Sequence, residues 1–305
     1  MGTTLLLRRL ALASLVANVG LVVTGGAVRL TGSGLGCPTW PSCTDASYTT
    51  TAAMGVHGAV EFGNRILGIV VGLLALACVV VAVAARRAGR APVGWSVLVL
   101  LGIPLQAVIG GITVLTKLNP WVVACHFLGS MAVLVAAYQL WLRTRPPAPA
   151  PELPRPIALL VRGIVAVTAV VLVVGTVVTG SGPHAGDEHA RRTGLDPQQV
   201  SQLHADLVFL LIGLSVGLVF ALRAVGAPAA ANRAAGWLVG VELAQAVIGL
   251  VQYFTGLPAL AVALHMLGAS LVWLAALAVL AATRSPAPAA MPAALFHDHE
   301  ELRVS

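Results

Sequence analysis

The amino-acid sequence predicts an all-α polytopic membrane protein, with eight transmembrane helices in two pseudo-symmetric four-helix bundles and both termini cytoplasmic. Three observations carry that prediction. The 305 residues are 58% hydrophobic and 10% charged, at a mean hydropathy of +0.92. Soluble domains carry about 25% charged residues, so this apolar surface cannot hide in one globular core and lipid must solvate much of it. A cytosolic protein, an ordinary secreted domain and a nucleic-acid binder are excluded. Second, apolar runs fall at about 10–30, 52–84, 93–116, 120–142, 157–180, 198–222, 233–255 and 258–282, each long enough for a hydrocarbon layer of about 30 Å. Third, the chain repeats itself.

The elements follow in order. The first run comes after Arg8 and Arg9. It is too long for a signal-peptide core and lacks a clear small-x-small cleavage site before its Gly-rich turn, so it reads as a retained helix. Basic residues set the orientation. Thirteen, from Arg8 to Arg303, fall on one side of the spans; Arg29, Lys117, Arg191 and Arg192 fall on the other, and Arg65 lies inside a span. That bias puts both termini in the cytoplasm. The net charge of +7 is then mostly an insertion signal, with no nucleic-acid patch to explain. The Arg-for-Lys bias and the Ala/Val/Gly load match a high-GC bacterial genome, hence a bacterial plasma membrane.

The repeat divides the chain. Gln106-Ala107-Val108-Ile109-Gly110 returns 139 positions later as Gln245-Ala246-Val247-Ile248-Gly249, and His126 maps onto His265 at the same offset. Val22-Val23-Thr24-Gly25 has a counterpart in Val177-Val178-Thr179-Gly180, and His57 a rougher one in His204. The predicted units are an N-terminal bundle at 1–145, a Pro/Ala-rich cytoplasmic linker at 146–156, a C-terminal bundle at 157–284 and a cytoplasmic tail at 285–305. An even number of spans per half makes the repeats parallel. Gly68/Gly72 and Gly213/Gly217 predict close helix packing.

His57, His126, His204 and His265 each sit near the extracytoplasmic start of an even-numbered span, at a predicted matched depth of about 10 Å. A lone membrane histidine usually hydrogen-bonds between helices. Four at one depth, two per bundle, suit axial ligation of heme iron instead. Glu61 lies one turn after His57 and Asn64 two turns after it, on a shared face with Arg65 adjacent. The carboxylate of Glu61 is either a proton acceptor beside a porphyrin or simply the i,i+4 partner of Arg65. No carboxylate occupies the matching turn of the second half, so the first half is expected to do chemistry and the second to keep a permanent cofactor. Cys37 and Cys43, with five residues between them in an oxidising compartment, predict a disulfide, as a staple or as a redox pair. Cys78 and Cys125 read as packing residues, and His297-Asp298-His299 as part of a solvated tail.

These residues resemble the heme A synthase family along essentially the whole chain. The most specific match is Thr31-Gly32-Ser33-Gly34-Leu35-Gly36-Cys37-Pro38-Thr39-Trp40-Pro41-Ser42-Cys43. Next come Glu61-Phe62-Gly63-Asn64-Arg65, similar to a Glu-x-x-His-Arg motif, and His126 with His265. The resemblance implies oxidation of the C8 methyl of heme O to a formyl group by successive hydroxylations, with heme b as resident electron carrier. It implies Glu61 as the essential residue, His57 and His126 with Asn64 and Arg65 as the heme O pocket, and His204 and His265 as heme b ligands. Cys37 and Cys43 become the redox pair. Implied partners are a heme O synthase, cytochrome oxidase assembly factors, membrane lipid, an extracytoplasmic thiol-disulfide protein and further copies of the chain. Two departures stand out. Asn64 and Leu211 replace histidines of better-known members, with His57 and His204 each seven residues earlier, and the second half lacks a cysteine pair. The competing readings are a bis-histidine di-heme cytochrome b and a heme transporter or chaperone.

Overall fold

A computed structural model describes residues 2–86, 91–146 and 153–284. They form eight helices: α1 (Gly2–Leu30), α2 (Gly55–Ala85, preceded by a 3₁₀ turn at Ala52–Met54), α3 (Val93–Leu115), α4 (Pro120–Arg143), α5 (Arg155–Ser181), α6 (Pro197–Ala224), α7 (Ala229–Phe254) and α8 (Ala259–Thr283). All eight are long and apolar enough to cross a membrane, and the protein is a multi-pass membrane protein. The first helix starts several residues before its apolar run, and α5 begins at Arg155, inside the expected linker. Residues 147–152 of that linker, the tail from 285 and its His297-Asp298-His299 lie outside the described residues.

Local chemistry sets the helix starts. Asn119 caps α4, its side chain accepting the Trp121 N–H at 3.0 Å, and Asp196 caps α6 by accepting from Gln198 and Gln199. Proline follows each cap at the first helical position, where its missing N–H costs nothing. The turns between α3 and α4, and between α7 and α8, take positive φ at Lys117, Leu118, Gly256 and Leu257. They are short, so each pair of helices packs as an antiparallel hairpin.

One buried cluster joins α1 through α4 around Ala75, Val99 and Leu134; a second joins α5 through α8 around Ile164, Leu218 and Leu238. The groups of four meet where α1 and α4 touch α8 and α4 touches α5, with Trp273 Nε1 donating to the Met131 carbonyl at 3.1 Å. Outward faces carry Leu73, Phe220 and Trp237, more than 60% exposed, as lipid contact requires. The glycine expectation fails at three positions: a Cβ at Gly68, Gly213 or Gly217 would meet nothing within 4 Å. Other glycines make the close approaches. Gln106 leaves no room for a Cβ on Gly129, and Gln245 leaves none on Gly268.

The connections at 31–51 and 182–196 close the same end of the molecule as the α3–α4 and α7–α8 turns, forming a loop face. They interlock there: Gly34 N–H donates to the Gly186 carbonyl at 2.9 Å, and Leu118, Ala185 and Ala190 bury together.

Candidate functional site

Beneath the loop face lies a cavity of about 2170 Å³ lined by residues of all eight helices. A single small-molecule site usually occupies about 300–1,000 Å³, so this one has room for two large ligands. Its wall is mostly apolar, with a few converging polar groups.

His204 of α6 and His265 of α8 face each other across it, ring centroids 6.4 Å apart and planes 65° apart. Two metal–imidazole bonds of about 2 Å, plus about 1 Å from each nitrogen to its ring centre, span about 6 Å. The couple therefore stands at the separation that one metal ion between two imidazoles demands. Glycines back both rings: a Cβ at Gly175 would lie 3.1 Å from His204, and one at Gly249 would lie 3.5 Å from His265. Each ring leaves Nδ1 buried without a hydrogen-bond partner. With Nδ1 buried away from the cavity, Nε2 is the nitrogen each ring leaves accessible to a ligand there. Among the described residues no cluster of three or more His, Cys, Asp or Glu could hold a bare metal ion. These residues fit a porphyrin iron, which would bring most of its own ligands and would need from the chain only His204 and His265.

The first half is built differently. His126 of α4 lines the cavity against Gly110, at 3.2 Å from a Cβ there, and its Nδ1 is likewise unpartnered. These contacts repeat those of Gly249 and His265 at the 139-residue spacing. His57 does not join it. The predicted couple of His57 with His126 is corrected by the position of His57 as the third residue of α2. Its ring is exposed, is absent from the cavity wall and has Nδ1 3.0 Å from Ser33 Oγ. The cause is local. Gly36 of the long connection packs on the His57 carbonyl so closely that no Cβ fits, which holds the top of α2 at the loop face. His126 and His265 lie six residues into their helices and His204 seven, so three histidines share a depth and the fourth does not. Asn64 occupies the cavity-facing position on α2, accepting from Thr24 Oγ1 at 2.8 Å.

Glu61 is buried, 6% exposed, on the cavity wall. Arg65 donates to its Oε1 at 2.6 Å and the Cys37 N–H to its Oε2 at 2.7 Å. Pairing with Arg65 and facing the cavity are thus both true of one carboxylate. The Arg65 guanidinium also donates to the carbonyls of Cys37, Thr39, Pro41 and Ser42. Cys37 and Cys43 form a disulfide, both buried. Segment 37–43 is therefore bolted onto Glu61 and Arg65, with the Trp40 ring on the cavity wall against Gly111 of α3. Because no Cβ fits there, Gly111→Ala should displace Trp40 and destabilise the protein by about 1–3 kcal/mol. Thermal unfolding in detergent would show it, and adding Trp40→Leu should recover part of the loss.

One carboxylate escaped the sequence reading. Glu242 of α7 is 3% exposed and lines the cavity; Oε1 accepts from Ser215 Oγ at 2.9 Å, while Oε2 has no partner. The second half is not free of buried acid. The signal is present in the sequence, since Glu242 is the single acid of its span, but it lies on α7 and not at the turn of α6 that matches Glu61. Cys78 is a buried packing residue, whereas Cys125 is exposed.

Comparison with known proteins identifies the family. Residues 8–277 match the family model described as cytochrome oxidase assembly protein. A heme A synthase of Methylobacterium radiotolerans is 30% identical over 306 residues, covering 81% of this chain and 82% of the relative. One from Geobacillus kaustophilus is 33% identical over 129 residues, and one from Shewanella oneidensis 30% identical over 148. These two alignments span 39% and 44% of the relatives' lengths. With nearly the full set of spans matched, and the cavity, the imidazole couple and the Glu61 clamp lying within them, the chain belongs to the heme A synthase family of cytochrome oxidase assembly proteins.

Proposed function

We propose that the chain is a heme A synthase of a bacterial plasma membrane, oxidising the C8 methyl of heme O to a formyl group for cytochrome oxidase. The loop face is extracytoplasmic and both termini are cytoplasmic, as the basic-residue bias requires. The helices act as two pseudo-symmetric bundles, an arrangement supported by the matched contacts Gly110–His126 with Gly249–His265 and Gln106–Gly129 with Gln245–Gly268. The α5–α8 bundle holds heme b between His204 and His265, and the α1–α4 bundle receives heme O beside His126, Asn64 and Glu61. The single observation that carries this reading is the imidazole couple 6.4 Å apart in the cavity that Glu61 also lines.

Converting a methyl to a formyl group removes four electrons and adds one oxygen, and the bound heme iron supplies the electron-accepting chemistry that side chains lack. The chain's own residues do the rest. Glu61 takes protons released at the substrate edge; each of its oxygens keeps a lone pair beyond those bonded to Arg65 and Cys37. Arg65 fixes that carboxylate and the 37–43 segment together, and Trp40 and Pro41 exclude water from the cavity beneath them. The disulfide closes this cover, and an extracytoplasmic thiol protein is the partner suited to open it. A di-heme cytochrome b would need two equivalent couples, which the placement of His57 disfavours.

The test is expression beside a heme O synthase followed by chromatography of extracted hemes. Formyl-bearing heme A should appear only when both proteins are present. Recovery of heme O and heme b alone would overturn the proposal.

A further inference from the structure

Two arginines stand on the loop-face wall of the cavity with no acid to neutralise them. Arg29 lies near the end of α1 and Arg192 in the α5–α6 connection; both line the cavity, and they donate to the carbonyls of two adjacent residues, His184 and Pro183. Among the described residues no carboxylate lies within ion-pair distance of either guanidinium. Of the three acids of the same connection, Asp187 accepts the His189 N–H at 2.9 Å, Asp196 accepts those of Gln198 and Gln199 at 2.8 and 3.2 Å, and Glu188 is exposed.

Main-chain carbonyls hold the two cations. Arg29 donates to His184 and Thr179, and Arg192 to Ala190 and Pro183. Carbonyls fix the direction of a guanidinium but cancel none of its charge. A pre-oriented cation pair on a mostly apolar wall is unfavourable alone and gains strongly from an arriving anion. Arg29 comes from the first half, yet both of its acceptors belong to the second, so the pair spans the junction of the two halves.

We propose that Arg29 and Arg192 form a carboxylate clamp for the propionate side chains of the porphyrin held by His204 and His265. This rests on the heme reading of that couple. The two imidazoles lie about 10 Å and 9 Å along their helices from the loop face, where the arginines stand. A flat ligand gripped by both must turn its charged edge to the loop face and its apolar edge to the membrane interior. That orientation keeps two carboxylates out of hydrocarbon, where charge is most expensive.

The test titrates full-length protein, purified from heme-depleted cells, with heme b and separately with heme b dimethyl ester, which lacks the charges. Bis-imidazole complexes of each porphyrin in the same detergent correct for partitioning. Wild type should bind the free acid at least about tenfold tighter than the ester. Arg192→Gln should lose most of that preference and Arg192→Lys retain part of it, with the histidine-ligated spectrum unchanged in both. Equal wild-type affinity for acid and ester, or an undiminished preference in Arg192→Gln, would overturn the clamp. If the variant does not fold, the wild-type ratio decides alone. Absence of a ligated spectrum with either porphyrin in wild type would instead sink the heme reading, and the clamp with it.

Discussion

His265→Ala is expected to strip the purified protein of heme b, lowering its heme content at least about tenfold, and His204→Ala should do the same. The two rings face each other 6.4 Å apart in the cavity. Removing either would leave the iron a single side-chain ligand and an apolar gap where the second ring stood. The informative control is His57→Ala. It should keep the wild-type heme spectrum, because that ring is exposed and touches Ser33 rather than the cavity. A cytochrome b with equivalent couples in both halves predicts the opposite, a substantial loss of one heme on His57→Ala. Absorbance per protein, before and after dithionite reduction, reads both outcomes in one preparation. Full heme content in His265→Ala would remove the couple from the mechanism.

The contrast between His57 and the other three histidines shows what a sequence of this kind reveals. Hydropathy located every span to within about four residues, except that α1 begins about eight residues earlier, because lipid imposes its thickness on each crossing helix. His126 and His265 were legible because helix pairs joined by four-residue turns carry their register with them, and the repeated Gly110 and Gly249 meet the same ring in each half. His57 was not, because the register at the top of α2 is set by a 21-residue connection folded back over it, with Gly36 seated on the His57 carbonyl. Such a tertiary contact has no periodicity to announce it. Glu61 and Arg65 were predicted either as a catalytic face or as an i,i+4 pair; their hold on the carbonyls of 37–43 follows only from packing. Arg29 and Arg192 counted merely as orientation charges. Their shared position on the cavity wall appears only once the two halves are docked.

Glu61→Gln should lower heme A formation at least about 100-fold, the usual worth of a positioned proton acceptor, while leaving heme b bound and heme O accumulating. The substitution keeps the side chain's length and one acceptor oxygen but removes its charge. It also turns an N–H₂ group toward either Arg65 or the Cys37 N–H, so some loosening of segment 37–43 is unavoidable. Arg65→Lys separates the two roles. Lysine retains a positive charge beside Glu61 but cannot reach four carbonyls and a carboxylate at once, as the planar guanidinium does. If the carboxylate accepts protons, Glu61→Gln falls much further than Arg65→Lys although both loosen the segment. If Glu61 serves only to anchor it, Arg65→Lys is the more damaging change, and both lower the unfolding midpoint in proportion to lost activity. Heme chromatography and unfolding midpoints on the two variants decide between these outcomes. A Glu61→Gln protein making heme A within about threefold of wild type would leave the carboxylate without a chemical role, since general-base contributions are rarely so small.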